Sequence, residues 1–442
     1  MKSSTKSAGP VQRMISIGVV VTASALVLAG CTGGGTEPGG DVTLVIWDQQ
    51  LENTNGWSEV MDEVDSAFED AHPGVTIDHV GQTTDSAAYT QLLQTAFQAK
   101  EGPDVIMMQP ANDGVYIYAE ALTPLDELLD PALVGQIVGL ADTSVDGVLY
   151  GVPSGIQSMV VYYNKALFAQ AGLDPEDAPT NFDELMEAAA ALKAAGIIPF
   201  AGGNGATGDL SVWAYSTLFP GVGTTEDALA VGNNELKFTD SVVIDTLTQY
   251  KEILDDGYFD PGVLSKDLGA GIADFSSGAG AMSFNIATLL PYVSDGNGDP
   301  AAGGVGNENL GVIPQLGDPS NYVPVGAAVA WTIPSFSPNQ ELAAEYIAAL
   351  SSTDTQQAMF DGFGWLPANS GADTSGGPSL TYPAMKPMLD VLLGDNETQL
   401  PAHQWWKAPV ATEFKKQMQA VFNGSISLED AMAAVQAIQD QQ

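Results

Sequence analysis

Histidine and cysteine, two residue types common in metal and nucleophilic sites, are scarce in this sequence. The three histidines, His72, His79 and His403, show no metal-ligand spacing. No Gly-x-Ser-x-Gly segment with a partnered histidine lies between a predicted strand and a predicted helix, as in a nucleophile elbow. Carboxylates are abundant, so a pair that performs glycoside hydrolysis stays open as an alternative. We therefore predict no metal and no cofactor.

Cys31 is the single cysteine, and its surroundings predict attachment of a lipid. Basic residues and an apolar run over 14–28 precede Leu28-Ala29-Gly30-Cys31, which is the order of a secretory signal. The run is shorter than the roughly 20 residues of a membrane-spanning helix. The ending resembles a bacterial lipoprotein signal, in which the cysteine is acylated. We predict a signal peptide over 1–30 and a glycine-rich tether over 31–40. An ordinary secretory signal followed by a buried cysteine is the alternative.

Two glycine-rich segments match binding motifs only weakly. Residues 203–208 fit a dinucleotide-binding pattern, but no strand ending in an acidic residue follows about 20 residues later. We favour a ligand-contacting loop that leads to Trp213. Residues 295–299 resemble the start of a calcium loop, but Pro300 stands where that loop needs glycine. A solvated loop is favoured there, and calcium binding is the alternative.

Strands alternate with helices from Asp41 onward, which predicts an α/β fold with a doubly wound, parallel sheet. Thr180 is expected to cap one helix, and Trp331 is expected in the core. The apolar spacing predicts strands over 42–47, 75–80, 104–108, 160–163, 197–200, 310–313 and 327–333. It predicts helices over 57–69, 89–99, 182–195, 242–254, 340–349 and 428–438.

The charge of the chain excludes two classes of partner. Its 13 Lys and Arg stand against 55 Asp and Glu, a formal net charge of −42 over 442 residues. Such a field repels nucleic acid and anionic lipid, so we expect neither as a partner. The length predicts two or three domains with a substantial core.

An ordered string in the middle of the chain carries a family resemblance. It contains Gly147-Val-Leu-Tyr-Gly-Val-Pro153, Tyr162-Tyr-Asn-Lys165 and Asp183-Glu-Leu185. Phe275-x2-Gly278-x2-Ala281-Met282 follows downstream. The string resembles the extracellular solute-binding proteins of family 1, the sugar-type binding lipoproteins of ABC importers. The resemblance implies a periplasmic-binding-protein type II fold, in which a hinge joins two doubly wound α/β lobes around a ligand cleft. It implies one lobe over 41–153 and 315–359, and a second over 154–314 and 360–442.

Within that resemblance, a carbohydrate would need aromatic rings for its flat faces and polar side chains for its hydroxyls. The first predicted strand ends at Trp47 and is followed by Asp48 and Gln49, and a polar run over 109–113 follows the third. The carboxyl ends of strands are where open α/β sheets bind ligands. The predicted ligand-binding residues are Trp47, Asp48, Gln49, Asn112, Asp113, Gln157, Asp209, Trp213, Asn285 and Trp365.

The sequence thus predicts a lipid-anchored, extracellular substrate-binding protein of an ABC importer, and not an enzyme. We expect a monomer that captures a mono- or oligosaccharide by hinge closure and delivers it to the membrane permease. A glycan-degrading lipoprotein and a binding protein for a non-sugar solute are the two alternatives.

Overall fold

The computed structural model describes eight stretches of the chain: 41–51, 56–83, 86–110, 114–205, 207–296, 303–317, 323–394 and 398–442. The predicted signal and tether over 1–40 lie outside the described residues, as does most of the 295–299 loop. Asp41–Gln442 forms one compact unit. Within the described residues, no helix has the length and apolar character needed to cross a membrane.

Short strands, most of them largely buried, form the centre of this unit. Their bounds are β1 Val42–Asp48, β2 Val75–Gly81, β3 Val105–Met108, β4 Ser144–Val145, β5 Val148–Leu149, β6 Gly151–Pro153, β7 Ile156–Asn164, β8 Met282–Ile286, β9 Leu310–Ile313, β10 Val323–Ala327, β11 Ala330–Thr332 and β12 Thr398–Gln399.

Helices alternate with these strands and supply most of the outer layers. Their bounds are α1 Trp57–Ala71, α2 Ser86–Ala99, α3 Val115–Tyr118, α4 Pro131–Val134, α5 Lys165–Gln170, α6 Phe182–Ala194, α7 Asp209–Leu218, α8 Thr225–Gly232, α9 Ser241–Asp255, α10 Leu268–Ser276, α11 Leu290–Asp295, α12 Gln340–Leu350, α13 Thr353–Phe363, α14 Pro378–Thr381, α15 Met385–Leu392, α16 Ala408–Phe422 and α17 Leu428–Gln439.

The first sheet has the order β2-β1-β3-β11-β6. β1, β2 and β3 are parallel, whereas β11 runs antiparallel to both β3 and β6. Successive residues of a strand point to opposite faces. Leu44 and Ile46 of β1 therefore pack in the same core cluster as Trp57 of α1, and Trp47 packs on the other face beside Leu93 of α2. This alternation fixes which side chains of β1 face α1.

The second sheet is built around the long strand β7, which pairs antiparallel with β8, β9 and β10. The predicted parallel arrangement therefore holds for β1–β3 and is wrong for β7–β9. The register explains the difference. β7 begins at Ile156, close to the first sheet, and β8 ends opposite that start because Ile286 pairs with Met159. β7 thus runs away from the first sheet, and β8 runs back toward it.

Two short crossings join the sheets. One lies between the end of β6 at Pro153 and the start of β7 at Ile156, and the other lies between β10 and β11. The Ser154 amide donates to the Val329 carbonyl at 2.9 Å, and the Ala328 amide donates to the Gly155 carbonyl at 2.9 Å. These bonds hold the crossings side by side. The lobe boundaries given above stay a prediction.

Two local predictions are wrong for identifiable reasons. The N-cap of α6 is Asn181, whose Oδ1 accepts from the Glu184 amide at 3.0 Å, and not Thr180, which instead donates to the Glu184 carboxylate. Residues 197–200 form only isolated bridges at Phe200. Pro199 interrupts that run because it lacks an amide hydrogen for a ladder bond. The core assignment of Trp331 is confirmed, since it is fully buried.

Candidate functional site

A cleft of about 300 Å³ lies where the two sheets meet. The first sheet contributes Gln50 and Gln109, which follow the ends of β1 and β3. The second sheet contributes Gln157 of β7 and Ile286, the last residue of β8. Three glutamines therefore line the same cavity from both sheets. An amide side chain both donates and accepts hydrogen bonds.

Aromatic side chains form another part of the lining. Phe363 ends α13, Trp365 follows it, and Tyr292 of α11 lines the same cleft. Tyr292 is 36% exposed, so its ring meets solvent as well as the cleft. A cavity with ring faces and a few amides suits a compact ligand that has both C–H faces and hydroxyl groups.

The position of Trp365 depends on a glycine, Gly155, at the first crossing. Its indole Nε1 donates to the Ser154 carbonyl at 3.1 Å. A Cβ added to Gly155 would stand 2.1 Å from that same Nε1. Any residue other than glycine at position 155 would therefore push the indole out of its place.

A buried carboxylate stands directly behind the cleft wall. Asp48 Oδ1 accepts from the Gln50 backbone amide at 2.6 Å, and its Oδ2 accepts from Trp57 Nε1 at 2.7 Å. The Trp57 ring in turn packs edge-on against Trp365, with 5.1 Å between ring centroids, and against Phe363 at 5.8 Å. Asp48 is completely buried, so these donors replace its lost hydration.

His79 balances the charge of Asp48. Its Nε2 lies 3.2 Å from Asp48 Oδ2 and its Nδ1 lies 2.9 Å from Asp65 Oδ2. The Tyr346 hydroxyl donates to the other oxygen of Asp65. Burial alone would lower the pKa of His79, but the hydrogen bonds and charges of Asp48 and Asp65 outweigh it and raise the pKa to about 9. His79 is therefore an imidazolium at neutral pH.

Within the described part of the chain, the cleft lining presents no cation to a ligand. Among the described residues that line it, none is Lys, Arg or His. The internal segments outside the described residues contain none of these three types, and Arg13 is the only arginine in the whole sequence. Lysines elsewhere in the second half of the chain form ion pairs, as Lys266 does with Asp260 and Lys415 with Asp209. A phosphate group would find no cationic partner in this cleft.

The structure brings together part of the predicted set. Gln157 and Trp365 line the cleft. Asp48 and Gln49 are buried behind it, and Trp47 packs on the opposite face of β1. The two buried residues bear on the cleft only through their neighbours.

The remaining predicted residues lie on α7 and β8 or outside the described residues. Asp209 begins α7 and pairs with Lys415 at 2.6 Å, and Trp213 packs between the two large core clusters. Asn285 is fully buried in β8, one residue before Ile286 of the cleft lining. Asn112 and Asp113 lie outside the described residues.

The glycine-rich segment before α7 is part of the packing of this region. Asn204 is buried, and its side chain bonds Ser211 of α7 at 2.8 Å. A Cβ on Gly203 would stand 1.7 Å from the Asp267 carbonyl oxygen. The glycine therefore permits close packing, with no room left for a dinucleotide at that residue.

Sequence reasoning missed Phe363 and Tyr292 as cleft residues. Phe363 stands two residues before the predicted Trp365, so the aromatic pair in Phe363-Gly-Trp365 was the available signal. Tyr292 follows a leucine pair and a proline, and nothing in that pattern distinguishes a cleft residue from a core residue.

Comparison with known proteins identifies the class. The family model of bacterial extracellular solute-binding proteins matches residues 49–357, and the chain therefore belongs to this family. A curated relative is the sn-glycerol-3-phosphate-binding periplasmic protein UgpB of Brucella abortus, 28% identical over 298 residues. The match covers 63% of this chain and 64% of that protein, so the chain spans less than two thirds of the length of this relative.

Solved structures share the fold over nearly the whole chain. A chitin oligosaccharide binding protein matches with a TM-score of 0.78 and 24% identity, covering 91% of this chain and 98% of that one. The maltose-bound MalE3 of T. maritima matches with a TM-score of 0.68 and 20% identity, covering 90% and 99%. At these identities the matches establish the two-lobed type II periplasmic-binding fold and nothing about the ligand.

Proposed function

We propose that this protein is the lipid-anchored, extracellular substrate-binding component of an ABC importer, and that it captures an uncharged carbohydrate in the cleft between its sheets. The observation that carries the proposal is the cleft lining: glutamines from both sheets, aromatic rings and no cation. Family membership supports the transport role.

The size and chemistry of the cleft support a small, neutral polyol. A volume of about 300 Å³ is at the lower end of small-molecule pockets. Gln50, Gln109 and Gln157 offer both donors and acceptors, which a sugar hydroxyl requires because it does both itself. Trp365 and Phe363 offer apolar faces for its C–H groups. A mono- or disaccharide fits this combination.

The lack of cationic side chains argues against a phosphorylated ligand, even though the name of a relative includes glycerol 3-phosphate. Phosphate sites in proteins are commonly built from arginine or lysine, because a buried dianion needs compensating charge. The cleft lining provides neither. The acidic surface of the chain would also repel an anion on its approach.

Asn285 supports closure of the cleft around the ligand. Its Oδ1 accepts from the Ile286 amide at 2.9 Å, while its Nδ2 has no hydrogen-bond partner among the described residues. An unpaired buried donor costs about 1–3 kcal/mol. Hinge movement at the crossings would let this donor reach a ligand hydroxyl, and the resulting gain would favour the closed, ligand-bound form.

The proposed mechanism is capture without a chemical step. The relatives named above are binding proteins. In our proposal the tether at Cys31 keeps a monomer near its permease, and the closed form presents the ligand to it. Cys31→Ser should release the protein into the medium and leave the affinity of the purified protein unchanged. A loss of affinity in that variant would contradict the anchoring role.

A thermal-shift panel tests the choice of ligand. Maltose, xylobiose, diacetylchitobiose and galactose should be compared with glycerol 3-phosphate at equal concentrations. At 100 times its dissociation constant a ligand stabilises the folded state by about 2.7 kcal/mol, which raises Tm by several degrees. We expect a shift from at least one neutral sugar and none from glycerol 3-phosphate.

The reverse result, a shift from glycerol 3-phosphate alone, would contradict the proposal. The same incubations, followed by chromatography of the sugars, also test the enzymatic alternative. We expect every oligosaccharide to be recovered intact, and release of shorter sugars would favour a glycoside hydrolase.

A further inference from the structure

A buried cluster of polar and charged side chains from four elements lies behind the cleft. Asp48 comes from β1, Asp65 from α1, His79 from β2 and Tyr346 from α12. The His79 side chain is 6% exposed, and that of Asp48 is fully buried. Placing two carboxylates and an imidazole in such a site is costly unless every member is paired, and here each is paired with another.

Contacts lead from this cluster to three residues of the cleft wall. The Gln50 backbone amide bonds Asp48 Oδ1 directly. Asp48 Oδ2 holds the Trp57 indole, against which Trp365 and Phe363 pack. Gln50, Phe363 and Trp365 all line the cleft. A change in the orientation of Asp48 would therefore move the amide and aromatic parts of the wall together.

We propose that His79 is a positioning residue, whose bridge between Asp48 and Asp65 holds the wall of Gln50, Phe363 and Trp365 in the arrangement that binds ligand. The inference rests on the proposed function for its link to affinity. The structural part stands on the distances alone. The consequence is that ligand affinity depends on the charge of a side chain that no ligand touches.

The groups that face His79 make its charge state part of this arrangement. Asp48 and Asp65 contact its two ring nitrogens, and the Tyr346 hydroxyl lies 3.4 Å from Nδ1. Trp331 of β11 packs edge-on at 6.4 Å between centroids, and Tyr89 of α2 lies close enough to feel the charge of Asp48. Only the imidazolium donates from both nitrogens at once, so deprotonation breaks one of the two bonds.

The pH at which this happens follows from the carboxylates. They raise the pKa of His79 to about 9, so the bridge is intact at neutral pH and is lost as the pH rises through that value. Without it, Asp48 keeps an uncompensated negative charge behind Gln50 and Trp57. The wall should then loosen, and the affinity of the cleft should fall.

The test begins with the ligand-free protein, labelled with 5-fluorotryptophan and followed by fluorine NMR from pH 7 to pH 10. Trp365→Phe assigns the reporting resonance. We expect the Trp365 signal to titrate with a midpoint near pH 9 in the wild type and not in His79→Gln. His403→Gln is the matched control and should titrate as the wild type does. A Trp365 signal that ignores pH, or that titrates equally in His79→Gln, would overturn the proposal.

A second measurement separates positioning from a purely structural role. Maltose, xylobiose, diacetylchitobiose and galactose are the probes, and calorimetry is run at pH 7 and pH 10. We expect wild-type affinity to fall at least fivefold at the higher pH, and affinity of His79→Gln to be lower at pH 7 and independent of pH. Titration of Trp365 with unchanged affinity would contradict the positioning role. If no sugar binds at either pH, the proposed function is contradicted. The fluorine NMR result then still tests whether the charge of His79 affects the position of Trp365.

Discussion

Two buried histidines, one beside each sheet, have different partners and reach opposite charge states. His79 lies between two carboxylates, at 3.2 and 2.9 Å, and its pKa is raised to about 9. His403 bonds the Ser216 hydroxyl at 2.7 Å, and loss of hydration, helped by the Lys415 cation, lowers its pKa to about 3. An acid is near both rings, since the charge of Asp209 acts to raise the pKa of His403, against the larger effects of burial and Lys415.

The difference shows that the pKa of a buried histidine depends on whether a nearby carboxylate bonds the ring itself or is paired with another cation. Asp209 is paired with Lys415 at 2.6 Å, and His403 bonds a serine hydroxyl instead of a carboxylate, so burial has the largest effect on the pKa of His403. Asp48 has no such lysine and instead faces His79 directly. The cluster of Asp48, Asp65 and His79 therefore contains an ionised histidine behind the cleft. The group of Asp209, His403 and Lys415 contains a neutral one.

Removing the central carboxylate of each cluster should give the largest contrast. Asp48→Ala removes one partner of His79 and the acceptor of the hydrogen bonds from the Gln50 amide and the Trp57 indole. We therefore expect a loss of about 3–5 kcal/mol in the free energy of unfolding. Asp209→Ala breaks a partly exposed ion pair and should cost about 1 kcal/mol or less. Urea denaturation at pH 7 measures both. Equal losses would remove the distinction between the clusters.

Stability should depend on pH in opposite directions through the two histidines. The pKa of His79 is raised, so its contribution is complete below about pH 6.5, the ordinary value, and is lost as the pH rises through about 9. The pKa of His403 is lowered, so its contribution is complete above about pH 6.5 and is lost as the pH falls toward about 3.

Urea midpoints measured from pH 4 to pH 10 check these signs. His79→Gln should flatten the alkaline side of the profile and leave the acid side alone. His403→Gln should do the reverse. A profile in which both variants change the same side would show that one of the two charge states is wrong.

The smallest expected effect is a change in the pKa of His403 when its neighbouring cation is removed. Lys415→Met removes the cation that helps to lower its pKa, so the pKa of His403 should rise, while His79 should titrate as before. NMR titration of the imidazole resonances measures both rings in one sample. A His403 pKa that does not move would mean that loss of hydration alone keeps this ring neutral.

Much of the first sheet is predictable from the sequence, because its signals are local. The alternation in β1 and β2 and the apolar stripe of α1 each lie within one short window, and polar residues after β1 and β3 mark the edge where ligands bind. The second sheet is harder to predict. The direction of β8 depends on where β7 begins, and no window of sequence contains both.

The candidate site divides in the same way. Gln157 and Trp365 came from a family resemblance, and both line the cleft. Asp48 was predicted as a ligand contact and lies in a buried ion cluster, because it pairs with His79 of β2, which also pairs with Asp65 of α1. No spacing in the sequence predicts a cluster whose residues come from β1, α1, β2 and α12. The contact of Gly155 with Trp365 is hidden for the same reason.

One measurement tests most directly that a sugar bridges the two sheets. Calorimetry with the sugar that gives the largest thermal shift compares wild type, Gln109→Ala and Gln157→Ala, with Gln417→Ala of α16 as a control outside the cleft lining. Loss of a hydrogen bond that leaves its partner unpaired costs about 1–3 kcal/mol, and 1.4 kcal/mol is tenfold in affinity. We predict a loss of about tenfold or more in each cleft variant and none in the control. Wild-type affinity in either Gln109→Ala or Gln157→Ala would contradict a ligand held from both sides.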